Sequence, residues 1–196
     1  AAAGAPSGRW TTFASGDDVL TVLVDDDVLW CGTRAGGLVR WSTADGSYTQ
    51  YLRPQDPIGG NTVFDIARDE GGRLWLATDG GLTLFDPGDS AGAGDDAWFT
   101  YDTGNGLGMP SDEVRAVAVV GGTVWVGGVQ RQDAATGDWY GGGLGRLDYR
   151  STFDPRDDVW APIATFESTY REEPGGLSEP GMVSDTINDL LATESG

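Results

Sequence analysis

A tryptophan recurs at an almost constant interval along this chain of 196 residues, at positions 30, 75 and 125. Each tryptophan follows an aliphatic residue, precedes small residues and is followed further along by a Gly-Gly-Leu sequence. These Gly-Gly-Leu sequences occupy 36–38, 80–82 and 142–144. An internal period of about 40 to 50 residues is typical of stacked or radial repeat architectures, so the repeat constrains the fold more than any other feature does.

Two further patterns accompany each tryptophan. Upstream lies a pair of aliphatic residues three positions apart, in four copies: Val19/Val22, Val63/Ile66, Val114/Val117 and Ile187/Leu190. Downstream lies a pair that begins with an aromatic residue, again in four copies: Trp10/Phe13, Tyr48/Tyr51, Trp98/Tyr101 and Trp160/Ile163. Short segments rich in β-branched and aromatic residues and bounded by Gly, Asp and Asn indicate strands. Each unit therefore predicts four strands, which we call a to d in chain order.

Four short strands also suit a β-sandwich, but four strands in a repeat of about 45 residues favour the blade of a β-propeller. We therefore predict an all-β partial propeller over residues 8–196, with about three and a half four-stranded antiparallel blades. The predicted parts are a flexible linker at 1–7, an outer strand at 8–14 that closes the last blade, blades at 17–53, 59–102 and 111–165, and the start of a further blade at 185–196. The period places the next tryptophan just beyond Gly196, so the chain is expected to stop within a repeat.

Residues 61–82 contain a V-x-x-I strand, an Asp-containing turn that ends in G-x-L-W, and then Thr and Gly-Gly-Leu; residues 111–117 repeat the start of this pattern. In these motifs the chain resembles the two-component regulator propeller repeat family, and the resemblance covers about residues 8 to 196. It implies a propeller fold and a sensor segment outside the cytoplasm of a bacterial signalling protein. An insertion at 129–141 departs from the pattern, and no kinase, membrane-spanning or DNA-binding segment accompanies the repeats.

The formal net charge of the chain is −19, from 31 acidic residues against 12 basic ones, all of which are arginine. An acidic surface repels phosphate groups and has few cations with which to release counterions, so nucleic acids and anionic membranes are excluded as partners. No apolar run approaches the roughly eighteen residues of a membrane helix, so direct membrane insertion is not expected. We expect a bacterial or archaeal protein that lies outside the cytoplasm, in the periplasm or at the cell surface.

The chain contains no histidine and one cysteine, Cys31. The absence of histidine removes the commonest general base, the partner of a nucleophilic Ser or Cys, and the usual ligand of zinc. A lone cysteine between apolar residues is predicted to be a small buried side chain. We therefore predict no enzyme and no cofactor; calcium is compatible with the many carboxylates, but no loop has the specific D-x-D-x-D-G order.

The d-to-a and b-to-c connections of a propeller emerge on one face, and the insertion belongs to that face. Its candidate binding residues are Arg131, Gln132, Asp133, Trp139 and Tyr140. Function commonly lies on loops held by a rigid scaffold, and this Trp-Tyr pair has no predicted role in packing between blades. The alternative is that Trp139 and Tyr140 cover an exposed part of the third blade. The repeated tryptophans themselves are predicted to pack between neighbouring blades rather than to stack on a ligand.

An Asx residue stands two positions before each inner aliphatic strand. The four copies are Asp17, Asn61, Asp112 and Asp185. In a propeller these positions converge near one mouth of the channel, where their oxygens could ring a cation. The alternative is that each side chain caps a turn by a hydrogen bond to the backbone, a common role of Asx residues.

Three functions from different classes are compatible with this sequence. The first is a non-catalytic binding module, a sensor-like or scaffold domain that presents its loops to a protein or glycan partner. The second is an accessory structural subunit of a larger membrane-associated complex. The third is a carboxylate-dependent glycosidase or lyase, which requires two carboxylates at hydrolase separation across the channel mouth. The regular repeats and the missing catalytic residue types favour the first.

Overall fold

The structure is a computed structural model that describes residues 18–88, 94–105, 109–132, 134–137, 139–164 and 186–192. These residues form twelve strands and no helix. The first blade contains β1 (Val19–Asp25), β2 (Val28–Thr33), β3 (Leu38–Ser42) and β4 (Tyr48–Tyr51). The second contains β5 (Val63–Arg68), β6 (Leu74–Thr78), β7 (Gly81–Asp86) and β8 (Ala97–Tyr101). The third contains β9 (Val114–Val120), β10 (Thr123–Gln132), β11 (Trp139–Asp148) and β12 (Val159–Ala164).

Each blade is one antiparallel sheet whose strands pair in chain order, so strands a to d of the sequence pattern become four neighbours. In the first and third blades the connection between a and b has two residues, Asp26–Asp27 and Gly121–Gly122. Positive φ values at Asp26, Gly121 and Gly122 suit tight hairpin turns. The predicted fold class is confirmed: the chain is an all-β partial propeller of four-stranded antiparallel blades.

Strand a carries a β-bulge at the same position in every blade. In β5 the pairing passes from Val63 with Thr78 to Asp65 with Ala77, which leaves Phe64 without an opposite residue. Leu20 and Arg115 occupy the same place in β1 and β9. A bulge bends its strand and redirects the extra side chain. In each of the three blades, one side chain near the start of strand a therefore points away from the regular ladder.

The core lies between blades rather than inside them. Trp30 is 2% exposed and meets Phe85 of the next blade edge to face, with ring centroids 5.7 Å apart. Trp75 is fully buried and meets Tyr149 of the third blade at 5.1 Å. Edge-to-face pairs of this kind add to the burial of the rings. Packing of the tryptophans between blades is confirmed for these two, whereas Trp125 in the third blade is only partly buried.

Tyrosine and aspartate link the outer strands of neighbouring blades. The hydroxyl of Tyr101, at the end of β8, donates a hydrogen bond to the carboxylate of Asp158, which precedes β12. Burial raises the pKa of both groups. One blade earlier, Tyr51 ends β4 and lies near Asp96, which precedes β8; burial, with the charge of Asp96 as a smaller cause, raises the pKa of Tyr51 to about 12. The placement of a tyrosine beside an aspartate thus recurs with the period of the repeat, as a hydrogen bond at Tyr101 and as proximity alone at Tyr51.

A buried ion pair fastens the a-to-b turn of the second blade. Nε of Arg73 lies 2.8 Å from Oδ2 of Asp69, whose side chain is fully buried. Nη2 of the same arginine donates to the carbonyl oxygen of Ser151 at 3.1 Å, and its guanidinium stacks over the ring of Tyr149 at 5.2 Å. The turn therefore connects the second blade to the third.

Residues 186–192 lie against the third blade in the place that strand a of a next blade would take. The nitrogen of Ile187 donates to the carbonyl oxygen of Gly128 at 3.2 Å, and its side chain lies close to Gly127. Val63 has the same relation to Gly32 one interface earlier. No strand is assigned at 186–192. The further blade predicted at 185–196 stays a prediction, and the predicted linker 1–7 and strand 8–14 lie outside the described residues.

Candidate functional site: the loop face

The d-to-a loops and the b-to-c turns lie at the same end of the blades, as antiparallel pairing in chain order requires. Thr62, from the first d-to-a loop, donates through Oγ1 to the carbonyl oxygen of Arg34 at 2.6 Å, and the nitrogen of Gly37 donates to the carbonyl oxygen of Asn61 at 2.9 Å. Both Arg34 and Gly37 belong to the b-to-c turn of the first blade. The two kinds of connection form one continuous surface, which we call the loop face: the described residues 34–37, 52–62, 79–80, 102–105, 109–113, 129–132, 134–137 and 139–141.

The loop at 52–62 is tightly held. The nitrogen of Leu52 donates to Oδ2 of Asp56 at 2.9 Å, and the nitrogen of Asp56 donates back to the carbonyl oxygen of Leu52 at 3.0 Å. Ile58 is 1% exposed and belongs to the core between the first two blades. The nitrogen of Gly59 donates to Oγ1 of Thr83 at 2.9 Å. A buried anchor and these hydrogen bonds give the loop one conformation.

Glycine is required where this loop meets the second blade. A Cβ added to Gly80 would lie 2.2 Å from the carbonyl oxygen of Gly59, which is a backbone clash. The close approach leaves a half-open cleft of about 460 Å³ beside the loop, bordered by Arg53, Asp56 and, from the second blade, Asp102. Sequence reasoning missed this cleft because it depends on contacts between two blades.

The insertion at 129–141 is a β-ribbon for most of its length. Gln130 pairs with Gly141, and Gln132 pairs with Trp139, whereas the pairing of β9 ends opposite Gly128 and that of β12 ends opposite Leu144. The two central strands of the third blade therefore continue past their neighbours as a two-stranded extension, which we call the arm (residues 129–141). The sequence did not predict this ribbon, although the strand ladder continues through the glycines at 141–143.

A shared carboxylate anchors the base of the arm. Glu113 is 8% exposed, accepts a hydrogen bond from Nε of Arg115 at 2.7 Å, and accepts another from Nη2 of Arg131 on the arm. The guanidinium of Arg115 lies 4.2 Å from the ring centroid of Phe64, so the bulged side chains of two neighbouring blades meet here. Two guanidiniums around one carboxylate leave one net positive charge on a chain whose total is −19.

The structure brings the predicted binding residues onto this arm only in part. Arg131 and Gln132 are exposed, and Nε2 of Gln132 donates to the carbonyl oxygen of Gly137 at 2.8 Å across the turn. The backbones of Trp139 and Tyr140 lie in β11 opposite Gln132 and Arg131, but their side chains lie outside what the structure describes. Asp133 also lies outside the described residues. Their binding role stays a prediction.

Two of the four Asx residues lie in the described part of the chain, and both close a d-to-a loop. Oδ1 of Asn61 accepts a hydrogen bond from the nitrogen of Arg53 at 2.8 Å, and Oδ1 of Asp112 accepts one from the nitrogen of Thr103 at 2.6 Å. Both bonds reach back eight or nine residues, not two residues forward. These contacts favour the capping alternative over a cation ring. Asp17 and Asp185 lie outside the described residues, so the ring stays a prediction.

One buried carboxylate on an inner strand is a candidate for acid–base chemistry. Burial raises the pKa of Asp65 on β5, and the negative charge of Asp189 adds to the effect. Both oxygens are engaged by backbone: Oδ1 accepts from the nitrogen of Ile66 and Oδ2 from that of Val117, each at 2.9 Å. The second bond joins β5 to β9. Asp65 therefore serves as a cross-link between two blades.

Comparison with known proteins identifies the repeat. Residues 57–80, which include the second half of the loop at 52–62 together with β5 and β6, match the family described as two component regulator propeller. Residues 57–80 thus carry one two component regulator propeller repeat. The match confirms the resemblance that the V-x-x-I and G-x-L-W motifs within these residues carry. No curated protein has a sequence similar enough to this chain to count as a relative.

Solved structures with this fold include two bacterial surface proteins. One is the extracellular domain of a protein described as a hybrid two component system from B. thetaiotaomicron, with 19% identity and a TM-score of 0.56 over 82% of this chain. The other is PorZ of Porphyromonas gingivalis, described as a surface component of the type-IX secretion system, with 20% identity and a TM-score of 0.52 over 74% of this chain. This chain spans 20% and 19% of their lengths, respectively. At such identities the likeness concerns the fold.

The structural neighbours of this chain are thus an extracellular domain and a surface component. Within residues 18–192, as far as the structure describes them, no helix is long and apolar enough to cross a membrane.

Proposed function

We propose that this chain is part of a non-catalytic propeller module, located outside the cytoplasm, that presents its loop face to a protein or glycan partner. The observation that carries the proposal is the arm. It extends beyond the regular blade, its residues 131–132 and 134–137 are exposed, and Arg131 ties it to the buried Glu113 at the mouth of the blades. An ordered projection on a rigid scaffold is a common arrangement for binding surfaces.

Charge and similarity support the same function. The chain's net charge of −19 favours partners that are neutral or basic and disfavours polyanions. The fold is shared with the extracellular domain of a hybrid two component system and with a surface component of a secretion system. We infer that this chain likewise lies outside the cytoplasm and contacts another molecule there.

Shortening the arm tests this proposal. In the test variant, residues 131–140 are replaced by Asn-Gly, which closes a two-residue hairpin between Gln130 and Gly141. The matched control places the same Asn-Gly at Asp26–Asp27, a tight turn on the opposite face. Each protein is applied to a glycan array and, with a cross-linker, to an extract of bacterial surface proteins with partners identified by mass spectrometry.

We expect wild type and control to bind the same partner and the arm-shortened variant to lose at least about tenfold in affinity, with unchanged thermal unfolding. Trp139→Ala then measures how much the Trp139 side chain contributes to the affinity for that partner. Undiminished binding by the arm-shortened variant would remove the arm from the function.

A second candidate is a structural subunit that docks other chains or blades through its side. It is favoured by Val19, Val22 and Val24 of β1, which are 56%, 52% and 71% exposed on one edge of the first blade. A carbohydrate-cleaving function is less well supported, because the inner-strand carboxylate with raised pKa, Asp65, has both oxygens occupied by backbone.

A further inference from the structure

The cleft beside the loop at 52–62 has the size of a small-ligand site. Its volume of about 460 Å³ lies within the range of roughly 300 to 1,000 Å³ that is usual for such sites. It is lined on one side by Arg53, Asp56 and Ile58 of the loop, and on the other by Thr100 and Asp102 of the second blade. It lies on the loop face, at the junction of two blades, where ligands commonly bind in layered proteins.

The walls of this cleft are fixed by bonds that do not involve any ligand. Nη1 of Arg53 donates to the carbonyl oxygen of Gly59 at 2.9 Å, and the backbone of Arg53 is held by Asn61. On the other wall, Oγ1 of Thr100 lies 2.9 Å from Oγ1 of Thr83. A site whose groups are already in place loses little entropy when a ligand binds.

Both aspartates keep one oxygen for a ligand. Asp56 uses Oδ2 to accept from the nitrogen of Leu52, and Asp102 uses Oδ1 to accept from the nitrogens of Gly104 and Asn105. In the part of the chain that the structure describes, no hydrogen bond reaches the other oxygen of either group. Among the described residues, the guanidinium of Arg53 likewise donates only through Nη1, which leaves Nε and Nη2 as donors. The cleft thus offers two carboxylate acceptors and one guanidinium donor.

These groups select a particular chemistry. The two carboxylates suit an ammonium group, since charge-assisted hydrogen bonds are the stronger ones, and the planar fork of Arg53 suits a carboxylate or a carbonyl oxygen. Phosphate and other polyanions are disfavoured by Asp56, Asp102 and the acidic chain as a whole. The apolar lining comes from Pro54, Pro57 and Ile58.

The guanidinium of Arg53 is specific to this cleft and does not recur with the repeat. In the next d-to-a loop, Thr103 takes the place of Arg53: each donates its backbone nitrogen to the Asx residue that closes its loop. A side chain dictated by blade packing would recur with the period. The departure at Arg53 therefore points to a role in the cleft itself.

We propose that this cleft binds a ligand that carries an ammonium group together with a carboxylate or carbonyl oxygen, with Asp56 and Asp102 on the ammonium and Arg53 on the oxygen. The ligand is either a free amino acid or short peptide, or a lysine side chain of a protein partner with its neighbouring carbonyl. The proposal rests on the proposed function, because it places a specific subsite on the loop face.

Amide chemical shifts of the whole chain, followed during titration with four probes, test this subsite. The probes are diglycine, N-acetylglycine without an ammonium group, glycinamide without a carboxylate, and the blocked peptide acetyl-Ala-Lys-Ala-amide. Asp102→Asn keeps an oxygen that can accept from Gly104 and Asn105 but removes the charge. Asp86→Asn is its matched control, since Oδ1 of Asp86 accepts from Gly88 two residues on, in a turn on the opposite face.

We expect an ammonium-bearing probe to shift the amide resonances of Gly59 and Gly80. Asp102→Asn should lower the affinity for that probe at least about tenfold, and Asp86→Asn should leave the affinity unchanged. Arg53→Gln is expected to weaken diglycine more than glycinamide. Binding of diglycine identifies a free amino acid or peptide end, and binding of the blocked peptide alone identifies a partner's side chain.

The proposal is overturned if no ammonium-bearing probe shifts these amides up to about 10 mM, or if Arg53→Gln and Asp102→Asn both bind like wild type. Folding of each variant is checked by thermal unfolding, and Arg53→Gln keeps the test valid if Asp102→Asn does not fold. Loss of partner binding by the arm-shortened variant, without any probe binding in the cleft, leaves the proposed function standing and removes only the cleft.

Discussion

The second blade and the first blade are built from the same repeat but differ in burial. Every residue of β6 and nearly every residue of β7 is buried, whereas β2 and β3 are buried only in part. The contrast is sharpest at equivalent positions of strand a: Val63 of the second blade is fully buried, and Val19 of the first blade is 56% exposed. The difference is that the second blade has a described neighbour on each side.

This contrast teaches that a blade of this kind is completed by its neighbours. The large rings lie at the interfaces, where Trp30 meets Phe85 and Trp75 meets Tyr149. A single four-stranded sheet has two apolar faces and too little core of its own. Residues that keep the repeat therefore serve the interfaces, and functional residues are to be sought where the repeat is broken.

The largest difference in the free energy of unfolding is expected between substitutions of Trp75 and Trp125. Trp75→Ala removes a fully buried ring from the second interface and should lower the free energy of unfolding by about 3 to 5 kcal/mol. Trp125→Ala removes a partly exposed ring from the same position of the third blade and should cost clearly less. Urea unfolding monitored by circular dichroism measures both. Equal losses of unfolding free energy in the two variants would contradict the expected difference between these two positions.

The buried ion pair of the second blade should give the next largest effect. Arg73→Ala leaves the fully buried carboxylate of Asp69 without its partner and should cost about 3 kcal/mol. Arg156 also pairs with an aspartate, Asp154, but its side chain is 88% exposed, so Arg156→Ala should have no measurable effect. The same unfolding measurement applies, and a stable Arg73→Ala protein would show that the turn does not fasten the blades.

Matched valines sharpen the comparison further. Val63→Ala should cost about 2 kcal/mol, because it leaves a cavity in the core between the first two blades. Val19→Ala, at the equivalent position of β1, should change stability by less than about 0.5 kcal/mol. Thermal and urea unfolding of the two variants side by side provide the check. A similar cost at both sites would mean that β1 is covered in the folded protein.

The smallest expected effect concerns pH. The pKa of Asp158 is raised, chiefly by burial, so the folded chain holds this proton more tightly than the unfolded chain does. The stabilising contribution is therefore fully present below the ordinary aspartate pKa of 3.8 and is lost as pH rises through the raised value. Asp158→Asn should reduce the dependence of unfolding free energy on pH just above 3.8. An identical slope in wild type and variant would argue against burial of this carboxylate in the folded chain.

Much of the architecture was predictable because the residues that recur with the period are the aliphatic and aromatic residues that pack in the core. The pairs Val63/Ile66 and Trp98/Tyr101 fall in strands a and d of the structure, as their spacing predicts. The fold class and the family resemblance are confirmed for the same reason: aliphatic and aromatic residues must recur wherever interfaces recur.

The site was less predictable, because it depends on contacts between distant segments. Asn61 was expected to cap a turn nearby, but its oxygen bonds the backbone of Arg53 across a whole loop. The ribbon structure of the arm was not predicted, because the glycines at 141–143 weaken the strand signal although the ladder continues through them. The cleft needs Gly59 and Gly80 to meet across two blades, and no local pattern reports such a contact.

Native-state hydrogen exchange tests most directly the claim that neighbouring blades, more than the strands of the repeat itself, hold each sheet in place. The account predicts that amides of β6, buried throughout, exchange only through global unfolding, whereas hydrogen-bonded amides of β1, with Val19, Val22 and Val24 exposed, exchange through local opening at a lower free energy. Equal protection of β1 and β6 would contradict it.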